Sequence, residues 1–226
     1  MSVCRNLTVE ELRDRLGQET SFFHYIGHTE QDGFQCSDGK LDASTLDETG
    51  VESFLLNACN SYEQGLCLIE AGAIGGIVTL NEVINDGAVR IGESIARLLN
   101  AGYPLRAALT IAREESVLGG QYIVVGDGGM TVTQAASRTP NLLEISATDG
   151  GYAVDIETYA TDDAGLGTVY KPHIGENNEF FLSSGKIATF DVTEEELTTF
   201  LKLENVPVRY ENDIYWSYSI DIDRLD

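Results

Sequence analysis

Apolar positions along the chain fall into two textures. In the first half, short unbroken apolar runs are separated by stretches with helical spacing. Residues 21–27 and Val51–Ala58 read as strands, the second apolar on both faces as a central parallel strand is. "AIGGIVTL" and "QYIVVGDGG" supply two more. Thr8 with Glu11 makes a capping box ahead of a helix that runs to Leu16 and stops at Gly17. "SYEQGLCLIEAG" reads as a short helix closed by Gly72. Residues 87–101 carry Val89, Ile91, Ile95, Leu98 and Leu99 on one stripe, and "PLRAALTIAREESVL" opens near Pro104 and closes at Gly119–Gly120. The polar stretch 29–49 suits a loop or small hairpin around "SDGK". The order β-β-α-β-α-α-β, with connections that suit crossovers, predicts an α/β domain over residues 1–131 with a largely parallel sheet and helices on its faces.

Beyond residue 131 the pattern changes. "GYAVDIETYAT", "GTVYKPHI", "EFFLSSGKIATFDV" and "VRYENDIYWSYSIDI" alternate apolar with polar residues, as half-exposed antiparallel strands do. One helix interrupts them, announced by a second capping box of Thr193 and Glu196 before "ELTTFLKLEN". Residues 132–226 are therefore expected to form a separate β-rich region.

Charge narrows the class of partner. Asp plus Glu total 37 against 14 Lys plus Arg, a formal net charge of -23 spread along all 226 residues. Such a balance argues against nucleic acid and anionic membranes as partners, since both call for basic patches. Self-repulsion on this scale is tolerable in molar salt, where the Debye length is about 3 Å, so a salt-accumulating, haloarchaeal-type source is expected. No apolar run approaches membrane-spanning length, and "MSVCRNLTVEELRDRL" lacks the apolar core of a signal peptide, so a cytoplasmic location is expected. Cys4, Cys36, Cys59 and Cys67 show no CxxC spacing and are expected as free thiols. With three histidines in the chain, no metal and no cofactor are expected.

Two of the apolar strands finish beside a chemically capable side chain: "FFHYIGH" ends on His28, and "FLLNACNS" carries Cys59 just past its end. In an open parallel sheet, catalytic groups gather beyond the carboxyl ends of the strands. A thiolate needs a neighbouring base or cation, and an imidazole supplies one. A helix opening just after Cys59 adds its N-terminal dipole. His24 lies deeper on the same strand and reads as structural. Cys67 lies in the apolar stripe of a helix and reads as core, and Cys4 and Cys36 lie in polar stretches.

"FFHYIGH", the "SDGKLDASTLDE" loop, "VESFLLNACNS", "EAGAIGGIVTLNEV" and "AGYPLRAALTIARE", in that order over residues 20–128, resemble the CHAT domain, a relative of caspases and separase among the cysteine peptidases. The resemblance implies a caspase-like three-layer α/β/α fold, with His28 as catalytic base and acid and Cys59 as nucleophile. It also implies an oxyanion hole from the backbone N–H groups of Thr29 and Cys59. The family commonly has Gly directly after the His, where this chain has Thr29. Caspase-like sheets also carry further strands before the one ending in His, so the expectation is either a piece of a longer protein or a sheet edge left open or covered by a partner.

Two function classes follow. The first is a cysteine endopeptidase acting on a protein or peptide substrate laid across the strand ends, with loops 81–87 and 127–134 as pocket walls. Glu82, Asp86 and Asp127 in those loops would favour a basic residue before the scissile bond. The second is a catalytically weak or inactive interaction module that signals with a regulatory protein partner. Nucleotide binding through "GAIGG" or "GDGG" fits poorly, because neither stretch matches a phosphate-loop frame and no Lys is placed for phosphate.

Overall fold

The computed structural model describes residues 2–30, 32–82, 85–114, 120–137, 139–165, 167–211 and 213–220, without the side chains of residues 30, 85 and 86. The chain divides into two compact units, Met1–Asn100 with Pro104–Val132, and Ala101–Tyr103 with Thr133–Asp226.

The first unit opens on α1 (Val9–Leu16). Its predicted capping box forms: Thr8 Oγ1 accepts the Glu11 N–H at 3.2 Å, and the Glu11 carboxylate accepts the Thr8 N–H at 2.8 Å. The apolar runs become β1 (Thr20–Ile26), β5 (Val51–Asn57), β6 (Gly75–Thr79) and β7 (Tyr122–Gly126), in the order β1-β5-β6-β7. Between β1 and β5, a three-stranded meander of β2 (Thr29–Glu30), β3 (Gly33–Gln35) and β4 (Lys40–Leu41) occupies the predicted hairpin stretch. The helices are α2 (Tyr62–Glu70), α3 (Asn85–Asn100) and α4 (Leu105–Glu114).

β1, β5 and β6 run parallel, whereas β7 is antiparallel to β6. The reversal has a simple cause. A single helix returns the chain to the start of the sheet, as α2 does between β5 and β6. The pair α3 and α4 goes down and comes back, so β7 enters from the carboxyl rim and runs the other way. Phe54, Leu56, Val78 and Val125 turn to one face and form a core with Leu12, Leu16 and Leu68 of α1 and α2. On the opposite face, Asn57 lies against α3 at Gly92 and Gly75 lies against Leu105 of α4. The sheet is therefore a middle layer between helices. In the stripe predicted for α3, Ile91, Ile95, Leu98 and Leu99 are buried, but Val89 is 59% exposed. Cys36, expected in a polar stretch, is buried in the α1–α2 core, and burial pushes its thiol pKa up. Among the described residues no helix is long and apolar enough to cross a membrane.

The second unit holds a five-stranded sheet in the order β12-β9-β8-β13-β14, from β8 (Asn141–Thr148), β9 (Gly151–Thr158), β12 (Gly185–Val192), β13 (Pro207–Tyr210) and β14 (Asp213–Trp216). A short pair, β10 (Val169–Tyr170) and β11 (Phe181–Leu182), stands apart. The expected antiparallel pattern holds except between β8 and β13, which run parallel. Helix α5 (Glu194–Leu203), capped by Thr193 as its sequence predicts, contributes Leu197, Phe200 and Leu201 to a core with Leu143, Ile145, Val154 and Ile156.

Candidate active site

Parallel pairing places Ile26 opposite Asn57, so β1 and β5 end side by side. Past those ends the chain continues as Gly27-His28-Thr29 and Ala58-Cys59-Asn60-Ser61. The Thr29 hydroxyl donates to the Cys59 carbonyl and ties the two segments together. His28 is exposed and Cys59 half-buried on this rim.

The turn carrying Cys59 is held by hydroxyls. Thr79, the last residue of β6, donates from Oγ1 to the Ala58 carbonyl. It accepts the Ser61 N–H on Oγ1 at 3.3 Å, and its own N–H donates to Ser61 Oγ at 2.9 Å. The Ser61 hydroxyl also lies 3.1 Å from the Leu56 carbonyl. Ser61 occupies the N-cap position of α2 but makes no side-chain cap there. Asn60 takes the left-handed conformation (φ 51) that a tight turn asks for, and its N–H donates to the Asn81 carbonyl at 3.3 Å. The helix α2 starts at Tyr62, so its positive end lies three residues past Cys59.

The His28 side of the rim is held by the meander. The Gln35 N–H donates to the His28 carbonyl at 3.0 Å, and the Tyr25 hydroxyl lies 2.9 Å from the same carbonyl. Because His28 and Gln35 form a hydrogen-bonded pair, the next pair, Thr29 with Phe34, is of the non-hydrogen-bonded kind. The Thr29 N–H therefore points away from β3. His24 is half-buried one pleat deeper. Burial lowers its pKa, and its buried Nε2 has no hydrogen-bond partner.

The proposed pocket acids separate. Glu82 is exposed and follows Asn81, whose carbonyl holds the Cys59 turn, so it lies on the same rim. The Asp86 side chain lies outside the described residues, and only its place in the first turn of α3 is defined. Asp127 must be corrected. Its N–H donates to the Ile74 carbonyl at 2.8 Å, and the neighbouring Gly126 pairs with Gly75 at the start of β6. That is the edge opposite Cys59, because β7 is reversed, and the same holds for the start of the 127–134 loop. Asp127 Oδ1 instead closes its own turn by accepting the Gly129 N–H at 2.8 Å.

Two further side chains sit at the rim on the α3 face. The Tyr122 hydroxyl donates to Asn57 Oδ1 at 2.6 Å, and Asn57 Nδ2 donates to the Ala88 carbonyl in α3 at 3.0 Å. Burial, and secondarily the charge of Cys59, push the Tyr122 pKa up to about 12. The signal for Asn57 and Thr79 was present in the sequence: each is a polar residue at the carboxyl end of an otherwise apolar strand. Among the described residues, no group of three or more His, Cys, Asp or Glu side chains is placed to hold a metal ion.

Among solved structures, the chain is similar to the complex of the pro- and mature domains of RgpB from Porphyromonas gingivalis. Identity is 11% and the TM-score 0.47, over 86% of this chain and 53% of that one. It is also similar to the Arg-specific cysteine proteinase gingipain R (RgpB), with 12% identity and a TM-score of 0.49, over 86% of this chain and 52% of that one. The chain thus spans about half the length of each. No protein-family model and no curated protein matches it.

Proposed function

We propose that the chain is a caspase-like cysteine endopeptidase of CHAT type, working through a Cys59–His28 dyad. One observation carries the reading: the hydroxyl of Thr29, directly after His28, bonds the carbonyl of Cys59, so base and nucleophile share one braced rim. In the proposed reaction the Cys59 thiolate attacks a peptide carbonyl. The N–H groups of Thr29 and Cys59 receive the oxyanion, and the His28 imidazolium protonates the departing amine. Water deprotonated by His28 then attacks the thioester and releases the acid, returning the thiol. Glu82 on the same rim would favour a basic residue on the amino side of the cut.

A second reading, a partner-dependent interaction module, is favoured by the place of β1. It forms one edge of its sheet and pairs with β5 alone among the described residues. One experiment separates the two. The chain is incubated with a peptide library at low and molar salt, as wild type, Cys59→Ala and His28→Ala. The first reading expects cleavage by the wild type and none by either variant. It also expects iodoacetamide at neutral pH to label half-buried Cys59 ahead of exposed Cys4. Cleavage surviving Cys59→Ala would sink the dyad. No cleavage, with Cys59 labelled after Cys4, would favour the module.

A further inference from the structure

We infer that Asn57 and Tyr122 are positioning residues of the Cys59 rim, which seat the first turn of α3 against the end of β5 and thereby set substrate binding; the kinetic part rests on the peptidase reading. Asn57 is the last residue of the strand that delivers Cys59, and it is buried. Its amide is used at both ends, accepting from the Tyr122 hydroxyl at 2.6 Å and donating to the Ala88 carbonyl at 3.0 Å. Tyr122 is fully buried at the first position of β7, across from Thr79, which locks the Cys59 turn. One chain of bonds therefore joins β7, β5 and the start of α3.

The helix can come this close only because of Gly92. A Cβ at that position would lie 2.4 Å from Asn57 Nδ2 and 3.2 Å from its Cγ. Gly in a helix interior is unfavourable relative to Ala, so its place here is explained by the room that the Asn57 amide occupies. Val89, one residue past the bonded Ala88, is exposed. The seat therefore sets where this part of α3 lies against the end of β5. The Cys59 turn has its own anchors in Thr29, Ser61 and Thr79, so unseating α3 alters the wall of the site while the nucleophile stays in place.

The test uses the whole chain as Tyr122→Phe, Asn57→Asp, Asn57→Ala, Gly92→Ala and the Asn57→Ala/Gly92→Ala double variant. Asn57→Asp, when ionised, keeps an acceptor for Tyr122 but turns the donor to Ala88 into a second acceptor, and Asn57→Ala removes both bonds without adding a charge. Hydrogen exchange at residues 88–92 is expected to quicken about tenfold in Asn57→Asp and Gly92→Ala, relative to α4. Peptide cleavage should show KM raised by about tenfold with kcat kept within about twofold. A purely structural role would instead lower Tm and leave both constants of the folded fraction unchanged. Gly92→Ala should add nothing in the Asn57→Ala background, where the new methyl has room. Wild-type exchange in both Asn57→Asp and Asn57→Ala, or additive effects in the double variant, would overturn the seat. Quickened exchange with unchanged KM would overturn the positioning role. A wild type that cleaves nothing refutes the peptidase reading, and exchange together with the double variant then decides the seat alone.

Discussion

Replacing Thr79 by Val is the most direct test of how the Cys59 turn is held. The two side chains have nearly the same shape, so the change removes one hydroxyl and little else. With it go the bond to the Ala58 carbonyl, the 3.3 Å bond from the Ser61 N–H and the 3.1 Å contact with the Ser61 hydroxyl. Ala58 and Ser61 are buried, so their backbone groups lose these partners out of reach of water. Each such orphan costs about 1–3 kcal/mol, and the extra buried methyl returns about 0.8 kcal/mol. The net loss is about 1–5 kcal/mol. Thr79→Ser keeps every bond and loses only a methyl, so it costs about 1 kcal/mol. The ordering is the point: burial of apolar surface alone ranks Val above Ser, whereas the hydroxyl lock ranks Ser above Val. Trp216, the chain's one Trp, lies in the other unit, so tryptophan fluorescence would miss the effect. Hydrogen exchange of the β5 and β6 amides in increasing urea reads this unit by itself. Thr79→Val equal to or more stable than Thr79→Ser would refute the lock.

Gly76→Ala places a methyl 2.2–2.5 Å from three atoms of the fully buried Phe54 ring. Overpacking of this kind costs about 1–3 kcal/mol. Adding Phe54→Leu should recover part of the loss in a double-mutant cycle, and strictly additive losses in urea denaturation would contradict this packing. Burial lowers the His24 pKa, so the unfolded chain binds the proton more readily. Stability from this group is present above the ordinary value of 6.5 and is lost as pH falls through the folded value. His24→Phe should therefore flatten the acid side of the stability–pH curve, and an unchanged slope would rule the group out. Glu204 has the opposite sign. Burial raises its pKa, against a smaller opposing effect of His173, so its contribution is full below the ordinary 4.5 and lost as pH rises through the folded value. Glu204→Gln should be more stable than wild type at pH 7 and gain nothing at pH 4, as read by thermal unfolding at the two pH values.

The elements that local chemistry specifies were legible in the sequence. Thr8 with Glu11 and Thr193 with Glu196 mark the starts of α1 and α5, and unbroken apolar runs mark β1, β5 and β6. Strand direction was not legible. "QYIVVGDGG" has the same pattern whichever way it runs, and only the number of helices returning the chain decides it. Asp127 was misplaced for that reason alone. β8 is weakly marked in the sequence, because its inward-facing residues Leu143 and Ile145 give way to the exposed tail Ser146–Thr148, and its parallel partner Val208 lies far along the chain. At the rim the division is sharper. His28 and Cys59 stand out from sequence because imidazole and thiol are rare and reactive. Ser61 and Tyr122 do not, and Asn57 and Thr79 show only as polar residues closing apolar strands, because a hydroxyl or amide acquires its role from a partner, and Ser61 with Thr79 and Asn57 with Tyr122 are 18 and 65 residues apart. The groups proposed to react can thus be nominated from one strand end at a time, while the groups that hold them emerge only when three strand ends and a helix meet. Variants at Thr79 and Asn57 therefore test the fold's contribution to the site, and variants at Cys59 and His28 test the chemistry.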